Sequence, residues 1–195
     1  MNHFAFFFAF SLLGPVWLNA APTEDLITDI RSKYNAIENA SLKSETIRFA
    51  PQDDPMEGTM KRYFSDGELV KISLSYTIGD HGGADETYYY SGGQLFFAFI
   101  TDSSWGFTGK TLSNGESETV DTVSEHRMYF ANGQLIRYLR KSVETKDPDG
   151  AAKALAKAEN EPYTDPEFAQ TTLRRAMGAP SVTSAAGIES LLTAE

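Results

Sequence analysis

The chain has 195 residues, no cysteine and a formal net charge of −10, from 17 Lys and Arg against 27 Asp and Glu. The missing cysteines exclude disulfides, thiolate metal sites and thiol nucleophiles. The acidic balance argues against nucleic acid or an anionic membrane surface as the partner, because binding to phosphates relies on Lys and Arg.

The N-terminal segment predicts a secretory signal peptide over residues 1–20. An apolar run at residues 4–16 is followed by the small residues Ala20 and Ala21, as at a cleavage site. The run is shorter than the ~20 apolar residues that a spanning helix needs. We therefore expect a secreted or periplasmic protein without a stable membrane anchor, whose residues 21–195 form a single α+β domain.

A helix is predicted directly after Pro22. Thr23 suits an N-cap, and Glu24 and Asp25 place carboxylates in the first turn, where the helix dipole favours them. The apolar residues that follow recur at helical spacing, and they are Leu26, Ile27, Ile30, Tyr34 and Ile37. One face of this helix therefore requires a sheet to cover it.

Three dipeptides, Asp66-Gly67, Gly92-Gly93 and Asn132-Gly133, lie between aromatic and β-branched runs. Such pairs accept the positive φ of a type I′ turn, so the pattern predicts three consecutive β-hairpins over about residues 58–141. A further strand at residues 45–49 brings the antiparallel sheet, at about residues 45–141, to six or seven strands. Apolar residues occur on both faces of this sheet, so both faces require cover.

Two glycine-containing segments, residues 77–84 and 102–117, are predicted as loops between the hairpins. The second contains Trp105 and Phe107. These aromatic side chains either form a platform for a sugar or peptide, or fold back as a lid on the core.

The composition changes to helix-favouring residues in the C-terminal segment, at about residues 151–195. Helices are predicted over residues 151–159 and from Asp165 or Pro166 to Met177, while residues 181–195 either dock weakly or stay disordered. The expected architecture is thus α+β, an antiparallel sheet packed by an N-terminal helix and C-terminal helices.

A group of charged residues is the candidate ligand site. If strand alternation is unbroken after two-residue turns, Arg62 faces Lys71, an unfavourable pair without a nearby anion. Glu86, His126 and Arg137 then lie on the same face. These five residues are predicted to bind an anionic or polar small ligand, and the alternative is that the long side chains simply extend to solvent over the aromatic rings.

Catalytic signals are few, and we expect no cofactor and no metal site. The chain lacks a Walker loop, a dinucleotide-binding glycine fingerprint, a His-x-x-x-His zinc motif and a Gly-x-Ser-x-Gly elbow. His81 follows Asp80 without a placed nucleophile. Further carboxylates stand at Glu116, Glu118 and Asp121.

The expectation is a binding or envelope-associated interaction module for an unknown small ligand, sugar or protein partner. The alternative is a hydrolase that uses carboxylates or His81.

The hairpin phrase Tyr-Tyr/Phe-x-x-Gly-x-Leu occurs as Tyr89-Tyr90-Ser91-Gly92-Gly93-Gln94-Leu95 and as Tyr129-Phe130-Ala131-Asn132-Gly133-Gln134-Leu135. It resembles the β-hairpin repeats of MORN-like and antitoxin-like bacterial proteins. More closely, residues 24–141 resemble a group of uncharacterised exported bacterial proteins with an N-terminal helix and repeated hairpins. The resemblance implies a hairpin-repeat sheet and brings no activity with it.

Overall fold

The computed structural model describes residues 23–52 and 55–194, so the predicted signal peptide at residues 1–20 lies outside the described residues. Among the described residues, no helix combines the length and the apolar character needed to cross a bilayer.

One antiparallel sheet forms the centre of the fold, and its strands pair in the order of the chain. The strands are β1 (Lys43–Phe49), β2 (Met56–Ser65), β3 (Glu68–Ile78), β4 (Gly82–Ser91), β5 (Gln94–Thr111), β6 (Ser117–Ala131), β7 (Gln134–Thr145) and β8 (Glu161–Pro162). The predicted α+β class with an antiparallel sheet is confirmed, but the predicted count of six or seven strands is wrong. The eighth strand, β8, has only two residues, too few to show an alternating pattern.

Within the described ranges, four α-helices pack around the sheet, and they are α1 (Thr23–Glu38), α2 (Ala151–Lys157), α3 (Pro166–Gly178) and α4 (Ala185–Thr193). Asp165 caps α3 by accepting a hydrogen bond from the Phe168 amide, and Ser184 caps α4 through the Gly187 amide. The last helix docks rather than staying disordered, because Ile188 and Leu192 are buried in the core.

The three predicted dipeptides each occupy a two-residue turn with positive φ at both positions. Asn132 has φ 51° and Gly133 has φ 75°, and the other two turns have the same handedness. The turns connect β2 to β3, β4 to β5 and β6 to β7. This geometry matches the right-handed twist of the strands that each turn joins.

A β-bulge follows every one of these turns at the same repeat position. Phe64 lies opposite Leu69, but the register then shifts, so that Tyr63 lies opposite Lys71 and Arg62 opposite Ile72. Equivalent shifts follow Tyr90 and Phe130. The predicted pairing of Arg62 with Lys71 is therefore wrong. The extra residue of each bulge moves all later side chains of its strand to the other face.

The two faces of the sheet carry separate cores. On one face, which we call the C-terminal face, Ile72, Tyr88 and Met128 pack against α3 and α4. On the other, which we call the α1 face, Tyr89, Phe97 and Tyr129 pack against Ile27 and Ile30 of α1. The structure thus packs helices against part of each face.

The predicted loops are largely strand. Only residues 79–81 separate β3 from β4, and β5 continues through Trp105 and Phe107 to Thr111. Beyond the pairs Gly82–Ser104 and Asp121–Thr145, β5 and β6 extend as a two-stranded arm. Glycines in this arm suggest a loop, but Gly106 lies within β5, is not among the glycines with positive φ, and has no atom within 4 Å of the position of a Cβ.

The turn geometry can be tested with two matched substitutions, Gly133→Ala and Gly106→Ala. A Cβ meets no atom within 4 Å at either position, so only the φ of 75° at Gly133 distinguishes them. We expect Gly133→Ala to lower the free energy of unfolding by about 1 kcal/mol, or ~2–4 °C in Tm. Gly106→Ala should change it by less than ~0.5 kcal/mol. Equal melting temperatures for the two variants would contradict the type I′ turn.

Candidate functional site

Helix α1 crosses the sheet at a large angle and is held by an ion pair at each end. Glu24, in its first turn, pairs with Arg137 on β7, and Glu38, in its last turn, pairs with Lys71 on β3 at 2.9 Å. The helix rises ~21 Å between these two glutamates. Four strand spacings between β7 and β3 amount to ~19 Å. Helix length and sheet width therefore match, which fixes where α1 lies.

Beneath α1 runs a row of aromatic side chains from neighbouring strands. Tyr89 is opposite Phe97, and Phe97 is opposite Tyr129. Tyr34 of α1 meets Phe97 edge-on, with ring centroids 5.5 Å apart. Burial raises the pKa of Tyr89, and Glu38 and Tyr34 reinforce the shift, so this phenol stays protonated beneath the helix.

Where α1 leaves the aromatic row, it forms one wall of a groove of about 330 Å³. We call this the α1 groove. It is lined by Ile30, Arg31, Tyr34 and Asn35 of α1 and by Phe97, Phe99, Arg127 and Tyr129 of β5 and β6. The sequence predicts that α1 covers the sheet, but it does not show that the helix stops short of covering Phe99.

Positive charge is in excess at the edge of the α1 groove. The Arg127 guanidinium stacks on Phe99, 5.1 Å from the ring centre, and pairs with Glu125. The same carboxylate also pairs with Lys141 at 3.2 Å, so one negative charge serves two cations. Within the described part of the chain, the side chains of Arg31 and Asn35 make no hydrogen bond. Two polar groups at the rim are therefore free to meet a ligand.

Next to this groove, the α1 face is uncovered and polar across β1 to β4. We call this surface the hydroxyl floor, and it forms a cleft of about 650 Å³. The floor consists of eight hydroxyl-bearing or charged side chains, and they are Thr46, Thr59, Ser73, Ser75, Thr87, Arg48, Lys61 and Asp85. Tyr63 also lines the cleft, and the Lys71 ammonium lies over its ring. Thr87 lies directly opposite Phe99, so the floor adjoins the α1 groove.

On the C-terminal face, the buried Glu86 holds α3 to the sheet. Its carboxylate accepts hydrogen bonds from the hydroxyls of Tyr76, at 2.9 Å, and Tyr88. Arg175 of α3 donates to it at 2.6 Å and also donates to the Leu192 carbonyl of α4. Burial raises the pKa of Tyr88, with Glu86 adding to the effect, so the phenol remains a donor.

His126 makes a second contact with α3, two strands from Glu86. Its ring stacks on Phe168, with centroids 4.5 Å apart. The Tyr138 hydroxyl lies 2.6 Å from Nδ1, and Asp102 lies 2.7 Å from Nε2. Burial raises the pKa of Tyr138, and Asp165 reinforces this, so Tyr138 donates to Nδ1 and Nε2–H donates to Asp102. Both nitrogens are thus engaged within a buried stack.

The structure does not bring the five predicted ligand residues together. Arg62, Glu86 and His126 lie on the C-terminal face, where Arg62 donates to the Pro180 carbonyl at 3.2 Å. Lys71 and Arg137 lie on the other face, because the bulges reverse their orientation. All five contact helices or the turn after α3. Their binding of a ligand stays a prediction.

The predicted aromatic pair lies at the far end of the α1 face. Trp105 donates to the Asp80 carbonyl and stacks on His81, with centroids 5.3 Å apart. Phe107 meets Trp105 edge-on and is 67% exposed, so it is not a lid on the core. Their use as a platform for a ligand stays a prediction.

The residues proposed for a hydrolase are not gathered in a pocket: His81 and Glu116 are exposed, and Glu118 and Asp121 are half-buried on β6. The side chain of His81 is 74% exposed and has Asp80 at 3.5 Å. Glu118 accepts hydrogen bonds from Lys146 and Thr108, and the bond from Lys146 contributes most to lowering its pKa. A lowered pKa makes this carboxyl a poor general acid. Among residues 23–52 and 55–194, no three His, Asp or Glu side chains are grouped to hold a metal ion.

No family model matches the chain, and neither the curated proteins nor the solved structures that were searched contain a match. The resemblance to hairpin-repeat proteins therefore stays a prediction.

The contact between Glu86 and α3 can be tested with Arg175→Met and the matched substitution Arg174→Met on the exposed side of the same helix. Removing Arg175 leaves a buried carboxylate without its cation, so we expect a loss of about 3 kcal/mol in the free energy of unfolding. Arg174→Met should lower the free energy of unfolding by less than ~1 kcal/mol. Adding Glu86→Gln to Arg175→Met should recover part of the loss. Equal denaturant midpoints for the two arginine variants would show that the contact does not stabilise the fold.

Proposed function

We propose that the protein is an exported binding module, and that the α1 groove holds the aromatic or apolar group of a small ligand with an anionic end. The observation that carries this proposal is a concave site with aromatic walls and a few polar groups at its rim. Small-molecule sites commonly have this composition.

The aromatic walls suit a single ring. The groove volume of about 330 Å³ lies at the low end of the ~300–1,000 Å³ typical of ligand pockets. Phe99 and Tyr34 are half-buried, so each presents part of its ring to the groove. A ligand ring placed between them gains contacts edge-on or offset-stacked, which aromatic pairs prefer.

The cationic side chains at the rim of the α1 groove favour a ligand with a negatively charged end. Arg31 is exposed on α1 and unpaired within the described residues, and Arg127 shares its carboxylate partner with Lys141. A ligand carboxylate at this position gains charge-assisted hydrogen bonds from Arg31, whereas at Arg127 it competes with Glu125 and with the hydrogen bond to Asn160. Asn35 adds an amide that both donates and accepts.

The groove is preformed, which lowers the entropy lost on binding. Ion pairs hold both ends of α1, and Ile27 and Ile30 are 0% and 4% exposed beneath it. A wall fixed in this way does not have to be ordered by the ligand. The hydrolase alternative has no comparable observation in its favour.

Export belongs to the same proposal. It is supported by the apolar run at residues 4–16 and by the small residues Ala20 and Ala21 after it.

The groove can be tested by titrating the protein with 3-phenylpropionate while recording two-dimensional NMR spectra. We expect amide shifts at residues 30–35, 97–99 and 127–129, and weaker binding of the uncharged 3-phenylpropanol. Arg31→Ala should weaken binding of the acid about 5- to 10-fold, because a charge-assisted contact is lost.

Lys33→Ala provides the matched control. It also removes one cation from α1, but Lys33 does not line the groove and pairs only with Asp29 at an exposed site. The affinity of the Lys33→Ala variant for 3-phenylpropionate should equal that of the parent protein. Equal losses for the two variants, or amide shifts confined to other regions, would contradict the proposed site.

A further inference from the structure

The hydroxyl floor is a polar surface whose side chains lack partners. Among the described residues, none of its eight side chains makes a hydrogen bond or ion pair with another. The other cations of the α1 face differ, since Lys71, Arg127, Arg137 and Lys141 each pair with a carboxylate. Unpaired Arg48 and Lys61 therefore stand out in a chain with a net charge of −10.

The floor is built from two parallel rows that cross four strands. In one row Arg48 lies opposite Thr59, Thr59 opposite Ser75, and Ser75 opposite Asp85. The second row, two residues away along each strand, runs in the same way from Thr46 to Thr87. Three strand spacings make each row ~14 Å long, and the rows are ~7 Å apart. The result is an elongated, regular array of hydrogen-bonding groups.

The chemistry of this array is that of hydroxyl recognition. Ser and Thr hydroxyls both donate and accept hydrogen bonds, and Asp85 accepts them at the β4 end. Arg48 and Lys61 lie diagonally on adjacent strands at the β1 end, close enough to share one anion. Glu57, on the neighbouring row, forms no ion pair with Arg48 among the described contacts.

We propose that the hydroxyl floor binds an acidic oligosaccharide, with a uronic acid carboxylate on Arg48 and Lys61 and sugar hydroxyls along the two rows. The length of the rows favours an oligosaccharide over a single sugar. The net charge of −10 disfavours a polyanion with several charges per sugar, because long-range repulsion opposes it, whereas a uronic acid brings one charge per sugar. A peptide that adds to a sheet binds along the free edge of a terminal strand, here β1, whereas the unpaired groups of the floor are side chains on the face of the sheet.

The experiment is an NMR titration with trigalacturonic acid, with the neutral trisaccharide maltotriose as comparison. We expect amide shifts in β1 to β4, tighter binding of the acidic sugar, and binding that weakens with added salt. The double variant Arg48→Ala, Lys61→Ala should lose at least about 10-fold in affinity. Lys153→Ala, Lys157→Ala on α2 removes the same charge elsewhere and should bind as the parent does.

A second double variant, Thr59→Val, Thr87→Val, keeps shape and strand preference while removing two hydroxyls. It should also weaken binding of trigalacturonic acid, with an unchanged melting temperature. Absence of shifts in β1 to β4, or equal affinities for the two charge variants, would overturn the proposal. The α1 groove is tested with a different ligand and different variants, so either site can fail while the other stands.

Discussion

The register shift after each type I′ turn is the constraint on which the rest of the structure depends. In a β-strand, side chains alternate between faces, so one extra residue reverses every side chain that follows. The bulges at Val70, Phe96 and Ile136 occur at the same position of three hairpins. Together, the three bulges therefore determine which face of the sheet each row of side chains occupies.

This assignment explains why two separate helical layers can pack on one sheet. Ile72, Leu74 and Tyr138 turn toward α3 and α4, and Tyr89, Phe97 and Tyr129 are left for α1. Charged residues follow the same division, so that Lys71 and Arg137 hold α1 while Glu86 holds α3. The charged residues that pair across these layers thus serve helix docking, and those of the hydroxyl floor form no such pairs among the described residues.

Much of the architecture follows from local patterns in the sequence. Helix α1 is described over Thr23–Glu38, in the segment where the sequence predicts a helix, and the turn dipeptides place the hairpins. The face of each strand could not be predicted, because a bulge leaves no residue signature beyond an ordinary Val, Phe or Ile. The sequence also does not predict that β5 continues through Gly106 and Gly109, because glycine usually indicates a turn.

The residues of the candidate site could not be predicted from the sequence for the same reason, because the bulges decide which side chains share a face. An unshifted register places Arg62 and Lys71 together, whereas the bulge separates them onto opposite faces. The residues of the hydroxyl floor come from four strands and resemble an ordinary solvent-facing alternation in the sequence. Only their row-by-row alignment, and the absence of partners among the described residues, distinguish them.

Backbone NOEs across the third hairpin distinguish the bulged register from a regular one. With the bulge, we expect cross-strand contacts between Met128 and Tyr138 and between His126 and Arg140. A regular two-residue hairpin without the bulge would instead give contacts of Met128 with Arg137 and of His126 with Leu139. Observation of that second set would contradict the division of side chains between the two faces.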